Sequence, residues 1–110
     1  MKKIFLHFCL ILSVACSPDK QPEGVLSEDK MVQILTDIHL AEGIVSSFPI
    51  HFDSSRVLYP YLENEVFEKH AVSDSVFRAS LEYYMRDLRV MDRIYARTID
   101  SLHVIESSGK

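Results

Sequence analysis

A histidine and a glutamate three residues apart are the first pair in this chain that could do chemistry. His39 and Glu42 lie in a segment of helical periodicity, where residues at that spacing are surface neighbours. At about 100° per residue, Glu42 falls between Leu35 and Ile38, inside the apolar arc of the helix. His39 sits at the edge of that arc beside Val32, and Asp37 points elsewhere. A carboxylate on a core-facing stripe needs a hydrogen-bonding partner or a raised pKa. One reading is a metal or acid–base site made of His39, Glu42 and a residue from another helix, for which His70 is the candidate. The other, which the pattern favours, is an interhelix hydrogen bond that fixes packing register. Metal sites in helical bundles draw Glu-x-x-His from paired helices, whereas here the order is reversed. The His-Glu-x-x-His signature of zinc proteases is absent. No serine stands in a Gly-x-Ser-x-Gly elbow, and three glycines leave no phosphate-cradling loop. Neither a catalytic residue nor a cofactor is expected.

Arg89, Arg93 and Arg97 form the second constellation, spaced by four. Like charges at i, i+4 repel by a few tenths of a kcal/mol per pair in an isolated helix. The stripe therefore reads either as a solvated face paired with nearby Asp92 and Asp100, which is favoured, or as a docking surface for an anion or acidic partner. Tyr59, Tyr61, Tyr83, Tyr84 and Tyr95 suit packing positions with their hydroxyls at the rim.

Period-3.6 patterning predicts four helices to carry these groups. Ser27 caps the first, with Glu28 and Asp29 in the turn where the helix dipole favours anions. Met31, Ile34, Leu35, Ile38, Ala41, Val45 and Phe48 share one face, and Pro49 ends the helix. After a loop to Ser55, a second helix is expected from near Arg56 to His70, with Leu58, Tyr61, Leu62 and Val66 inward and Pro60 in its first turn. Ala71 and Val72 make a tight turn. Ser73 caps a third helix with Phe77, Leu81 and Tyr84 on one side. The fourth is expected from about Asp87 to Ile105, with Leu88, Met91, Ile94, Tyr95, Thr98 and Leu102 inward and the arginines opposite. Nothing alternates with period two, so the fold expected is all-α, a small bundle of about four helices. A domain on the order of 80 residues buries only ~60% of its unfolded-chain surface, which leaves room for a partner or a second copy to complete the core.

The N-terminus reads as a processing segment. Lys2 and Lys3 precede an apolar run from Ile4 to Leu12, then Ser13-Val14-Ala15 and Cys16. Basic start, short apolar middle and small residues make a signal peptide over residues 1–15. The run is too short to span a bilayer, which needs roughly 20 apolar residues. Cys9 leaves with the signal, so the mature chain keeps one thiol with no disulfide partner, and lipid attachment at Cys16 accounts for it. Residues 16–26, with two prolines and a glycine, read as the lipidated cysteine and its tether, 27–105 as the helical domain, and 106–110 as a frayed tail. Without Lys2 and Lys3, ten basic residues stand against 16 acidic ones, a formal charge of −6. That balance argues against nucleic acid, and leaves anchoring to the lipid rather than to charge.

Three blocks carry a family resemblance: Asp37-Ile38-His39-Leu40-Ala41-Glu42; Val66-Phe67-Glu68-Lys69-His70-Ala71-Val72-Ser73; and Phe77 with Ser80-Leu81-Glu82-Tyr83-Tyr84. With the lipobox-like cysteine ahead of them, the chain resembles the small bacterial lipoproteins that carry domain of unknown function 4296, over about residues 25–105. The resemblance implies a helical, exported, lipid-anchored domain and no particular reaction. The chain departs from it in two places: Ala71 replaces a usual glycine, and Arg86-Asp87-Leu88-Arg89 lacks a proline often found there. The expectation is a non-enzymatic interaction module of the cell envelope, held by lipid to a membrane, the outer membrane for choice, with an envelope protein or a second copy as partner. The alternative is a ligand- or metal-binding envelope protein that uses His39 and Glu42.

Overall fold

A computed structural model describes residues 21–109; the segment expected to be a signal peptide, and Cys16, lie outside the described residues. It contains helices α1 (Glu28–Ser47), α2 (Phe52–Lys69), α3 (Asp74–Met85) and α4 (Leu88–Ser108), with no strand among the described residues. The all-α fold read from the sequence is the fold found.

The first helix starts where expected. The Ser27 hydroxyl accepts the Lys30 N–H at 3.1 Å, and Glu28 and Asp29 sit at the positive end of the helix. Met31, Ile34, Leu35, Ile38 and Ala41 are buried at the anticipated spacing. Phe48 turns extended, as a residue before proline must, and α1 stops.

The second helix differs from expectation. It begins at Phe52, four residues before Arg56, so Pro60 lies inside it rather than in its first turn. A helix-interior proline removes one N–H and crowds the carbonyl four residues back. Here Pro60 and Arg56 are both exposed, so water can take that carbonyl. Asp53 in the first turn favours the earlier start through the helix dipole.

At its end α2 closes in a Schellman motif. The Val72 N–H donates to the Phe67 carbonyl at 3.0 Å and the Ala71 N–H to the Glu68 carbonyl at 3.0 Å. Val72 then packs against the core cluster that contains Phe67. The motif needs a left-handed residue, and Ala71 takes it at φ 53°. Ser73 caps α3 by accepting from the Val76 N–H at 3.2 Å, and Asp87 caps α4 by accepting from the Arg89 N–H at 3.1 Å. The last helix continues to Ser108, so residues 106–108 are helical rather than frayed.

α1 is the hub: α2, α3 and α4 all pack on it, and α3 also packs on α4. Met31, Ile34 and Ile94 are fully buried at the centre. The Phe67 and Phe77 rings meet at 5.2 Å between centroids. Leu26, expected in the tether, belongs to the domain. Its N–H donates to the buried Ser80 hydroxyl at 2.9 Å and its carbonyl accepts from the Tyr84 hydroxyl at 2.7 Å.

Several residues expected inward are not. Phe48, Tyr61, Leu88 and Tyr95 are exposed. The length of α3 explains the first two. With 12 residues against 18 to 21 in the others, it covers one end of the core and leaves the α1–α2 turn without a fourth helix.

Replacing Ala71 by glycine should stabilise the domain. An L-residue with a side chain pays roughly 1–2 kcal/mol in the left-handed region, partly offset by glycine's extra freedom when unfolded. A net gain of about 1 kcal/mol should raise the melting temperature of a domain this size by roughly 4–8 °C. Thermal denaturation of Ala71→Gly beside the parent checks it, and an unchanged or lower midpoint would mean that the strain is absent.

Candidate functional site

The three residues expected to share a site are divided between two places. His39 and Glu42 do meet, Nδ1 to Oε2 at 3.0 Å, on successive turns of α1. The burial anticipated for Glu42 is not found: its side chain is 47% exposed and that of His39 37%. The reason lies in the fold. Glu42 falls in the last two turns of α1, beyond the reach of α3, so the apolar arc there has no opposing core. The Tyr59 hydroxyl of α2 hydrogen-bonds Glu63 at 2.9 Å and approaches Glu42 at 3.4 Å. Burial first, and then these two carboxylates, push the Tyr59 hydroxyl well above its ordinary value. The His39 ring stands 6.4 Å from that of Tyr95. An exposed pair of this kind contributes little to stability. No group of three histidine, cysteine or acidic side chains suited to hold a metal ion occurs among the described residues.

His70 goes elsewhere. Its Nε2 meets Asp37 Oδ2 at 2.7 Å, and the same oxygen accepts from Lys69 Nζ at 2.8 Å. These two side chains are the least solvated ion-pairing groups at the α1–α2 joint, 9% exposed for His70 and 18% for Asp37. Asp37 is therefore the polar residue that the sequence reading passed over. A signal for it existed: Lys69 and His70 form the basic end of α2, and an antiparallel hairpin must lay that end beside the N-terminal half of α1. Asp37 is the acid midway along α1, whereas Glu28 and Asp29 lie at its very start. Burial raises its carboxyl pKa, but the hydrogen bonds from Lys69 and His70 outweigh burial and hold it below the ordinary aspartate value. The sequence reading also passed over a second His-x-x-Glu, His103 and Glu106, which sit 3.8 Å apart and exposed near the end of α4.

The arginine stripe is not a free surface. Arg93 makes a two-pronged contact with Glu28, Nε to Oε2 at 2.9 Å and a terminal nitrogen to Oε1 at 2.5 Å. Arg97 pairs with Asp29. The partners expected, Asp92 and Asp100, are not the ones used. Both arginines instead bind the two acids in the first turn of α1, because α4 crosses α1 there. Those acids thus serve the dipole of their own helix and the docking of another. Arg93 holds the Glu28 carboxyl below its ordinary value, chiefly through the hydrogen bond. Arg89 differs: it is fully open to solvent and lies 3.6 Å from its own helix cap, Asp87.

The largest unexplained feature is apolar. Ile44 and Phe48 at the end of α1, with Phe52, Val57 and Tyr61 on α2, are exposed around the α1–α2 turn, Phe52 and Val57 to about three quarters. Val57, Leu58 and Tyr61 line a shallow cleft there with Asp53 and Ser54.

Fold and surface together define a small all-α domain of four helices built around α1, joined by ion pairs and left apolar at one end. The model of the family described as domain of unknown function (DUF4296) matches residues 22–108, and the chain belongs to that family. No curated protein and no solved structure matches it.

Two predictions follow from the ion pairs. Because the folded pKa of Asp37 is depressed, its contribution to stability is complete above the unfolded value and fades as pH falls through the folded one. Stability should therefore drop below about pH 4, and Asp37→Asn should flatten that limb while costing roughly 1–2 kcal/mol at neutral pH. Urea unfolding between pH 3 and 7 reads both, and identical pH profiles for parent and variant would show that the joint does not depend on this carboxylate. For the stripe, Arg93→Gln should lower the melting temperature by at most a few degrees, more so at low salt, whereas Arg89→Gln should leave it unchanged. Equal effects from the two would contradict the pairing described.

Proposed function

We propose that this domain is a non-enzymatic interaction module of the cell envelope, tethered to a membrane by lipid on Cys16. The observation that carries the interaction role is the apolar end formed by Ile44, Phe48, Phe52, Val57 and Tyr61. Val57, Leu58 and Tyr61 share one cleft there, and apolar surface left in water at such a place marks an interaction site. Phe48, Phe52 and Tyr61 among them are aromatic, a type enriched at protein–protein contacts. The partner is an envelope protein offering a complementary apolar groove, with a second copy of this chain as the other outcome of the test.

The tethering role is supported by the N-terminal pattern: two lysines, a short apolar run, Ser13-Val14-Ala15 and then Cys16, left without a disulfide partner once residues 1–15 are removed. No helix among the described residues is long and apolar enough to cross a membrane. A thioether-linked diacylglycerol would supply the attachment, and it would hold the domain within a short tether's length of the bilayer.

One experiment series tests both parts. Cells given a clickable fatty acid should label the parent protein and not Cys16→Ala, which should leave the membrane fraction. Cross-linking in isolated membranes should then give a stoichiometric adduct that Val57→Asp loses without a change in melting temperature. Val57 is about three quarters exposed, so this substitution spares the core. A parent that takes up no label removes the anchor, and an adduct that survives Val57→Asp removes the apolar end as the docking site.

A further inference from the structure

We propose that the corner where α3 meets α4 rests on the bilayer surface, making it the membrane-facing end of the domain; the inference rests on lipid attachment at Cys16. Three observations converge on that corner.

The first is where the tether leaves. Leu26 is fixed to α3 through both backbone groups, by Ser80 and by Tyr84. Ahead of it the chain closes a turn, with the Val25 N–H on the Pro22 carbonyl at 3.1 Å and Gly24 at φ 82°. Gln21 then borders the same cleft as Tyr83, Arg86 and Arg93. The chain therefore departs toward Cys16 from the α3–α4 corner and not from the apolar α1–α2 turn.

The second is length. Cys16 lies five residues before Gln21. Fully extended, that stretch spans no more than about 18 Å. A lipid at Cys16 holds the exit point at or near the headgroups, whereas α1 carries the chain roughly 30 Å along its axis before the α1–α2 turn.

The third is the chemistry exposed there. Met85 ends α3 at 59% exposed and Leu88 opens α4 at 73%, with Tyr83 beside them at 37%. Between and beyond them stand Arg86 and Arg89. Their acidic contacts are loose: Arg86 to Glu82 at 3.3 Å and Arg89 to Asp87 at 3.6 Å, all four side chains substantially exposed. Exposed pairs of this kind exchange readily for other anions. An arginine can lay its stem along an apolar surface and give its guanidinium to lipid phosphate, and tyrosine favours the boundary between apolar and wet surroundings. Glu82, Asp87 and Asp92 keep the corner close to neutral, so charge alone would not bring it to a membrane. The anchor does that by raising the local concentration, and Met85 and Leu88 then enter the headgroup boundary.

The test uses the lipidated, mature full chain in vesicles of phosphatidylethanolamine and phosphatidylglycerol. With Cys9 removed and the Cys16 sulfur occupied, Leu88→Cys supplies the one free thiol, and a polarity-sensitive fluorophore is attached to it. Val104→Cys, roughly 24 Å farther along α4, is the control; Val104 is also exposed. The expected result is a blue-shifted probe at position 88 that spin-labelled lipid quenches several-fold more strongly than the probe at position 104. A vesicle-bound, lipid-bearing protein whose two probes are equally wet, or whose position 104 is the quenched one, overturns the corner contact and leaves the anchor standing. An N-terminal peptide without lipid by mass spectrometry overturns the anchor and the corner contact with it.

Discussion

The apolar face of α1 is wider than any one neighbour can cover, and the rest of the fold follows from covering it. Met31 and Ile34 are fully buried, with Val32, Leu35 and Ile38 nearly so. That arc needs α2 on one side, α4 on another and α3 across the entry of the chain. Burying a side chain of this size contributes roughly 1.5–3 kcal/mol, so these few residues outweigh any surface ion pair. The ion pairs act on geometry instead. Glu28 and Asp29 fix where α4 crosses, and Asp37 fixes the end of α2 through Lys69 and His70. Each is an acid of α1 reaching a base of another helix, so the hub is also the electrostatic frame.

The same arrangement makes the molecule unequal at its two ends. Where α3 lies, the core is closed, the backbone of Leu26 is tied to Ser80 and Tyr84, and buried polar side chains are satisfied among the described residues. Beyond α3, helices α1 and α2 continue as a pair with Phe48, Phe52, Val57 and Tyr61 in solvent. A two-helix extension gains little from its own packing, because neither helix has a third surface to bury against. Its apolar residues therefore have no structural use that the described chain supplies. This asymmetry underlies the proposed division of labour, in which the closed end receives the tether and the open end receives the partner.

The sequence by itself determined the helical class, the number of helices and two of the helix caps. Those features are local: Ser27 and Ser73 satisfy N–H groups three residues on, and apolar spacing declares one face of one helix. The start of α2 was legible only in part, since Pro60 signals an early position, whereas the helix begins two turns ahead of it with Asp53 in its first turn. The His39–Glu42 contact was legible for the same local reason, being one turn apart on a single helix. The pairings of Asp37 with His70, of Arg93 with Glu28 and of Arg97 with Asp29 were not, because each joins residues 33 to 68 positions apart. Nor was the exposure of Glu42, Tyr61 and Leu88. Periodicity states which face of a helix is apolar, but only the lengths and crossings of neighbouring helices decide how much of that face finds something to bury against.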